Sequence, residues 1–445
     1  MRIEPVTARS AEPAAGPAGG DDAAFRQQIV YLFDRSPFYR DKLARAGFAD
    51  ATSVGGLADI ARLPFTEKDE LRASRTPQEP IGRHVAAAPE DIVRIYSTSG
   101  TTGTPSYVPL TAADLSDWIT ISARSYGASG LRRGERIVST YNAGPFVAGA
   151  AIEAFNALGL CQIPVGSGNT ERLMTAVRLL KPQILAATPS YALHLAEWAA
   201  ARGIDVAGSS VARLLVAGEP GGGEPAMRTR IEQAWGARVT EAMGIGDIAV
   251  SLWGECEHQT GMHFSGGGIV HCELIDPQTG QVLPIEDGAE GELVYTHLRR
   301  QAAPLLRFRS RDHVRVAASP CPCGRAGPRV RCIGRTDDML IVRGVNVFPT
   351  AIREIVAEFA PRVSGVIAIR PKAPGVRQSP PLPIAVELAE DGQDDGGLAA
   401  RIAGRIRDRL LVTAEITLVA FWSLPRSDYK SKLVEWPTAG GRKDQ

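Results

Sequence analysis

The stretch Tyr96-Ser97-Thr98-Ser99-Gly100-Thr101-Thr102-Gly103-Thr104-Pro105 concentrates hydroxyls and glycines directly after an apolar run. Glycine lets the backbone turn its N–H groups inward, and serine and threonine add O–H donors, so such a loop can wrap phosphate oxygens. It is not a Walker A loop, because that spacing is absent and no lysine follows the second glycine. A second reactive group is carried by Cys321-Pro322-Cys323-Gly324 and Cys256-Glu257-His258. Cys256, His258, Cys321 and Cys323 together would supply three thiolates and an imidazole. That is the donor set of a closed, structural tetrahedral zinc site, with His263 or Cys332 as substitute ligands and reduced, unliganded thiols as the alternative.

Composition narrows the classes of partner. The chain has 445 residues, enough for two or more domains. A formal net charge of +1 with 22% charged residues advertises no basic stripe, which argues against nucleic acid. Apolar residues make up 44% of the chain without an 18-residue apolar run, so no membrane span is expected. Residues 1–20, rich in Ala, Pro and Gly, read as a disordered leader without the apolar core of a signal peptide. Six cysteines, unevenly placed, do not form a disulfide framework, and a reducing, cytoplasmic setting is expected.

These residues need elements to position them. Two helices flank Ser36-Pro37 within residues 25–48, and Thr66 followed by Asp69 reads as a helix cap. After a strand over 92–96 and the hydroxyl-rich loop, a helix opened by Thr111 runs over 111–126. Strands over 136–140, 161–164, 184–187, 211–216 and 239–243 then alternate with helices over 148–158, 171–180, 191–202 and 225–235. That rhythm predicts a parallel α/β sheet with ligands at the carboxyl ends of its strands. From 267 to 316 the spacing shortens into a β-rich subdomain. Beyond Asp337 a smaller mixed unit follows, with strands over 339–342, 364–370, 384–388 and 416–421 and helices over 350–359 and 398–411. The expected fold class is therefore α/β: a large N-terminal domain over 21–336 and a small C-terminal α+β domain over 337–445.

The hydroxyl-rich loop resembles the phosphate-binding motif of the adenylate-forming superfamily, which includes acyl-CoA synthetases, adenylation domains and luciferases. Within it the chain is most similar to the phenylacetate-CoA ligase family, from Ser36-Pro37-Phe38-Tyr39 to Pro425-Arg426-Ser427. The resemblance implies that Ser97, Thr98, Ser99, Gly100, Thr101, Thr102 and Gly103 cradle the phosphates of ATP. It implies that Ala217, Gly218 and Glu219 line the base, and that Asp312 accepts both ribose hydroxyls. Met243-Gly244-Ile245-Gly246-Asp247 matches the family's Tyr-Gly-x-x-Glu motif, with Met243 in place of the stacking tyrosine and Asp247 in place of the magnesium-binding glutamate. Arg335 falls beside the nucleotide, and Asp337 matches the hinge about which the C-terminal domain turns. Lys430 matches the lysine that meets the developing charge, with Tyr429 where glycine is usual and Lys432 as a rival. Tyr141 and Phe146 fall beside the aryl group of the acid. Where relatives carry an acidic-histidine pair, this chain has Ser265-Gly266-Gly267-Gly268, and the C-x-C-G-R text is itself typical of the family.

The implied activity is ATP- and Mg2+-dependent ligation of a small aryl or arylacetic acid to coenzyme A through an acyl-adenylate, with a structural Zn2+ and a homodimer also expected. Transfer of the acyl group to a carrier protein's phosphopantetheine arm, and a catalytically silent nucleotide-binding homologue, are the alternatives.

Overall fold

A computed structural model describes residues 20–98, 106–141, 149–166, 169–343, 345–426 and 432–437. Apart from Gly20, which opens the first helix, the expected leader lies outside the described residues. Helices α1 (Gly20–Arg35) and α2 (Pro37–Arg45) break at Ser36, whose Oγ accepts the Tyr39 N–H at 3.4 Å. Pro37 takes the first helical position, where an N–H would have no partner. Helix α3 (Lys68–Ala73) is capped differently from the expectation. Glu67 is its N-cap, and the Glu67 N–H donates to Glu70 Oε1 at 2.8 Å. Thr66 is engaged elsewhere: its Oγ1 donates to Leu306 O at 2.6 Å and its N–H to Arg307 O at 2.9 Å.

Strand β1 (Ile92–Ser97) pairs antiparallel with β2 (Tyr107–Thr111) in a two-stranded sheet of its own. The link between the two strands is too short for the crossover that parallel pairing requires.

The alternating region follows as α4 (Ala112–Ala128), β3 (Arg136–Ser139), α5 (Ala150–Ala157), β4 (Cys161–Pro164), α6 (Thr170–Leu180), β5 (Ile184–Ala187), α7 (Pro189–Ala200), β6 (Arg213–Ala217), α8 (Pro225–Trp235) and β7 (Arg238–Ile245). Strands β4, β3, β5 and β6 are parallel neighbours. β5, Ile-Leu-Ala-Ala, is fully buried, and the central residues of β3 and β6 are buried with it, whereas β4 is the more exposed edge strand. The β-rich stretch supplies β8 (Ala249–Glu255), β9 (Met262–Phe264), β10 (Val270–Ile275), β11 (Val282–Leu283), β12 (Glu290–His297), β13 (Phe308–Ala317) and β14 (Arg329–Arg335). These continue the same ladder, a 12-stranded sheet in the order β11-β10-β12-β13-β14-β9-β8-β7-β6-β5-β3-β4.

The C-terminal part holds β15 (Leu340–Val342), β16 (Val345–Val347), α9 (Pro349–Ala357), β17 (Val363–Ile369), β18 (Arg377–Gln378), β19 (Leu382–Leu388), α10 (Leu398–Leu410) and β20 (Ala414–Val419). Leu398, Ile402 and Ile406 recur every four residues along α10 and are fully buried in the local core, while Arg405 and Arg409 on the outer face pair with Glu358. The chain divides into two compact units. One comprises Met1–Ala187, Ser209–Gly218 and Thr240–Arg331; the other comprises Thr188–Gly208, Glu219–Val239 and Cys332–Gln445. Helices α7 and α8 thus belong with the C-terminal elements. No helix among the described residues is long and apolar enough to cross a membrane.

One buried acid pins the start of α4 inside the first unit. Asp114, 1% exposed, accepts the N–H groups of Thr111 at 3.1 Å, Gln301 at 2.8 Å and Ala302 at 2.8 Å, with Arg300 Nε 3.8 Å away. A single carboxylate therefore satisfies backbone donors from two distant segments, and removing it orphans them. Asp114→Ala is expected to lower stability by about 3–5 kcal/mol, and Asp114→Asn by less, because the amide still accepts. A denaturation midpoint in Asp114→Ala equal to the parent's would show that this network holds nothing.

Candidate active site

In the first unit, the expected phosphate loop leaves β1 with Ser97 and Thr98 both buried. The Thr98 N–H donates to Ser106 O at 2.9 Å, and the Ser106 N–H donates to Thr98 Oγ1 at 3.2 Å, so the two ends of the loop are tied together. Ser99, Gly100, Thr101, Thr102 and Gly103 lie outside the described residues. Behind the loop, the Tyr96 ring stacks on Trp118 with centroids 5.9 Å apart and planes 6° from parallel.

Met243 and Gly244 sit where β7 bulges against β8. A Cβ on Gly244 would fall 2.2 Å from Val250 O, so the close approach of the two backbones admits only glycine. Met243 is half-buried at the same bulge. Four residues after Met243, Asp247 is 6% exposed, and its Oδ2 accepts from Lys68 Nζ at 2.8 Å. Lys68 was not singled out by the sequence. Its run Thr-Glu-Lys-Asp-Glu reads as a helix start, and the 179-residue separation from Asp247 hides the pairing. Nearby His84 is held down to about 4, chiefly by burial, so its ring is neutral at pH 7.

Asp312 is buried on β13, its N–H donating to Ser310 Oγ at 3.0 Å. The arginines around it are committed to carboxylates rather than solvated. Arg307 forks onto Glu273 at 2.9 and 3.2 Å, Arg309 onto Glu292 at 2.7 and 3.0 Å, and Arg311 Nη2 donates to Glu67 at 2.5 Å. Tyr141, one expected wall of the acid pocket, is buried, its N–H donating to Ser139 Oγ at 3.0 Å. Phe146 lies outside the described residues. Ala217 ends β6, and Gly218 follows with φ +98°, a left-handed turn that favours glycine.

In the second unit, Glu219 Oε1 accepts the Ser190 N–H at 2.8 Å at the start of α7. Arg335 forks onto Asp337 at 2.9 and 2.8 Å, both side chains partly exposed. The expected nucleotide contact and the expected hinge are thus a local, water-screened pair. Lys430 lies outside the described residues.

The first unit also brings Cys256, His263, Cys321 and Cys323 together, their ligand atoms all within 4.8 Å of one another. The Cys256 and Cys321 sulfurs are 3.6 Å apart, and Cys323 Sγ lies 3.4 Å from His263 Nε2. His258 is not part of this cluster. It sits exposed in the turn after β8, whereas β9 pairs back on β8 and carries His263 inward. Burial opposes the Cys321 thiolate, but the Cys323 amide and neighbouring hydrogen bonds hold its thiol below the ordinary value. Cys256 is pushed up, first by burial. Burial, with Arg325 and Arg329 nearby, lowers His263 to about 4 and leaves its ring nitrogen free of charge for a metal. Three sulfurs and a neutral imidazole at this spacing fit a tetrahedral zinc ion.

The sequence matches the model of the AMP-binding enzyme family over residues 31–297 and that of the AMP-binding enzyme C-terminal domain over 344–435. It is 33% identical over 421 residues to a phenylacetate-coenzyme A ligase of Thermus thermophilus, covering 91% of this chain and 92% of the relative. It is 34% identical over 422 residues to one of Pseudomonas putida, covering 91% of each. Among solved structures, 2-hydroxyisobutyryl-CoA ligase in complex with 2-HIB-AMP superposes with a TM-score of 0.87 at 28% identity, covering 97% of this chain and 92% of that one. A two-part family match and near-full-length similarity leave a single assignment: the chain belongs to the AMP-binding, adenylate-forming enzymes and, within them, to the phenylacetate-coenzyme A ligase family.

Proposed function

We propose that this protein is an AMP-forming acid–thiol ligase that joins a small aromatic carboxylic acid to coenzyme A at the expense of ATP. The observation that carries this reading is similarity over nine-tenths of the chain to proteins named phenylacetate-coenzyme A ligase. In the first half-reaction a carboxylate oxygen of the acid attacks the α-phosphorus. The new P–O bond forms as the bond to the bridging oxygen breaks, and pyrophosphate leaves. In the second, the coenzyme A thiol gives up its proton and its sulfur attacks the acyl carbon. A C–S bond forms, the C–O bond to AMP breaks, and AMP leaves. Catalysis is positioning and charge stabilisation, with no covalent enzyme intermediate.

The residues assigned to these steps are those of the sequence reading. Ser97, Thr98 and the loop through Gly103 hold the phosphates; Ala217, Gly218, Glu219, Met243 and Gly244 surround the base; Asp312 holds the ribose. Asp247 would bind Mg2+, which neutralises phosphate charge. Its burial beside Lys68 supports a carboxylate held in one orientation. Tyr141 and Phe146 would face the acid. Residues 21–336 and 337–445 act as body and lid, with Asp337 as hinge and Arg335 beside it. The position of Asp337 between the two family matches, partly exposed at the end of a strand, supports that role. Lys430 would meet the developing charge in the first step. The resemblance further supports a homodimer, and the six free cysteines suit a reducing cytoplasm.

Acid-dependent ATP–pyrophosphate exchange, run across phenylacetates, benzoates, hydroxy- and aminobenzoates and aliphatic acids, is expected to select one aromatic class. Lys430→Ala should reduce it by about 10²–10³-fold. Asp247→Asn should raise the Mg2+ concentration for half-maximal rate. Folded protein that binds ATP but exchanges with no acid would remove the ligase assignment.

The cysteine cluster is assigned a structural Zn2+ held by Cys256, His263, Cys321 and Cys323. One zinc per chain is expected by elemental analysis, with Cys323→Ala and His263→Ala losing it and His258→Ala retaining it. Metal-free wild-type protein, or loss on changing His258 alone, would refute this set.

A further inference from the structure

Within the second unit an ion pair shielded from water joins chain segments that lie 129 residues apart. Arg353 on α9 forks onto Glu224, the N-cap of α8, with Nη2–Oε1 at 2.6 Å and Nε–Oε2 at 3.1 Å. The two side chains are only 6% and 8% exposed. The same guanidinium donates from Nη2 to Pro220 O at 2.8 Å. Pro220 directly follows Ala217, Gly218 and Glu219, which are assigned to the nucleotide base, and Glu219 is anchored on Ser190. From the other side, Arg228 Nε donates to Gly222 O at 2.7 Å. The loop between β6 and α8 is therefore held by two arginines, and one of them comes from beyond Asp337.

Other contacts bridge the same pieces of chain. Arg426, which forks onto Glu387 within the C-terminal stretch at 2.6 and 2.9 Å, brings its Nε to 3.6 Å from Glu197 on α7. Trp422 meets the His194 ring edge-on at 5.7 Å. Arg426 and Glu197 are 12% and 22% exposed and Trp422 is 45% exposed, so the Arg353–Glu224 fork is the most buried of these bridging contacts, and its separation requires two buried charges to be rehydrated.

We infer that Arg353 is a positioning residue that braces the nucleotide loop during adenylate formation, and that its fork with Glu224 is a latch that opens before thioester formation. The inference rests on the two-step, hinged reading above. Glu224 and Pro220 precede Asp337 and Arg353 follows it, so a turn of residues 337–445 about that hinge parts Arg353 from both. A guanidinium suits the role because its planar fork engages the carboxylate on two atoms while a third N–H reaches the carbonyl, which a lysine ammonium cannot reproduce.

The test compares two rates on each protein: acid-dependent pyrophosphate exchange, and thioester formation from chemically synthesised acyl-adenylate and coenzyme A, using the acid selected by the exchange panel. Their ratio does not depend on how much of a variant is folded. Arg353→Met is expected to lower exchange by about tenfold or more and to raise the KM for ATP, with the thioester step unchanged or faster. Glu224→Gln should shift the ratio the same way, and Arg353→Lys should fall between, keeping the charge without the fork. A wild-type ratio in both Arg353→Met and Glu224→Gln, with both steps active in the parent, overturns the latch and leaves the ligase reading standing. A parent inactive in both steps with every acid overturns the two together.

Discussion

Three arginines on and beside one strand, each committed to a carboxylate, set the frame on which the first unit depends. Arg307, Arg309 and Arg311 on and beside β13 reach Glu273 on β10, Glu292 on β12 and Glu67 at the start of α3. Arg307 and Glu273 are 3% and 4% exposed, a depth at which an unpaired charge would be very costly. The pairing therefore fixes the register of the β-rich half and clamps the N-terminal block onto it, helped by Thr66, whose N–H donates to Arg307 O and whose carbonyl accepts from the Arg309 N–H. Asp312 lies on the strand so immobilised, which is what a carboxylate assigned to hold two hydroxyls requires.

The same economy of charge recurs at Asp247. A buried carboxylate at the bulge between β7 and β8 is met by Lys68 from α3. The pair brings together the N-terminal block and the end of the alternating region, two stretches with no local relation. The bulge itself exists because Gly244 allows the backbones of β7 and β8 to touch.

The cysteine cluster shows how antiparallel pairing decides ligand choice. His258 stands two residues after Cys256 and His263 seven, yet β8 and β9 fold back on each other with Gly254 opposite His263. Alternation of side chains along β9 then turns His263 toward the sulfurs and leaves His258 in the exposed turn.

Much was legible in the chain before any folding was considered. The alternation of apolar strands with capped helices, the hydroxyl-rich loop and the short motifs around Asp247 and Asp312 are local patterns, and local patterns survive in a one-dimensional text. Strand boundaries in the alternating region agree with the structure to within a few residues for the same reason, since short β-branched runs bounded by turns have few other solutions. Tertiary structure alone decided which distant groups meet: Lys68 with Asp247, Arg353 with Glu224, Asp114 with the amides of Gln301 and Ala302, and His263 rather than His258 with the thiols. Each of those choices depends on burial and on pairing across more residues than any local pattern spans. The cost of leaving a buried charge or amide unpaired selects the partner only once the sheet has brought the candidates together.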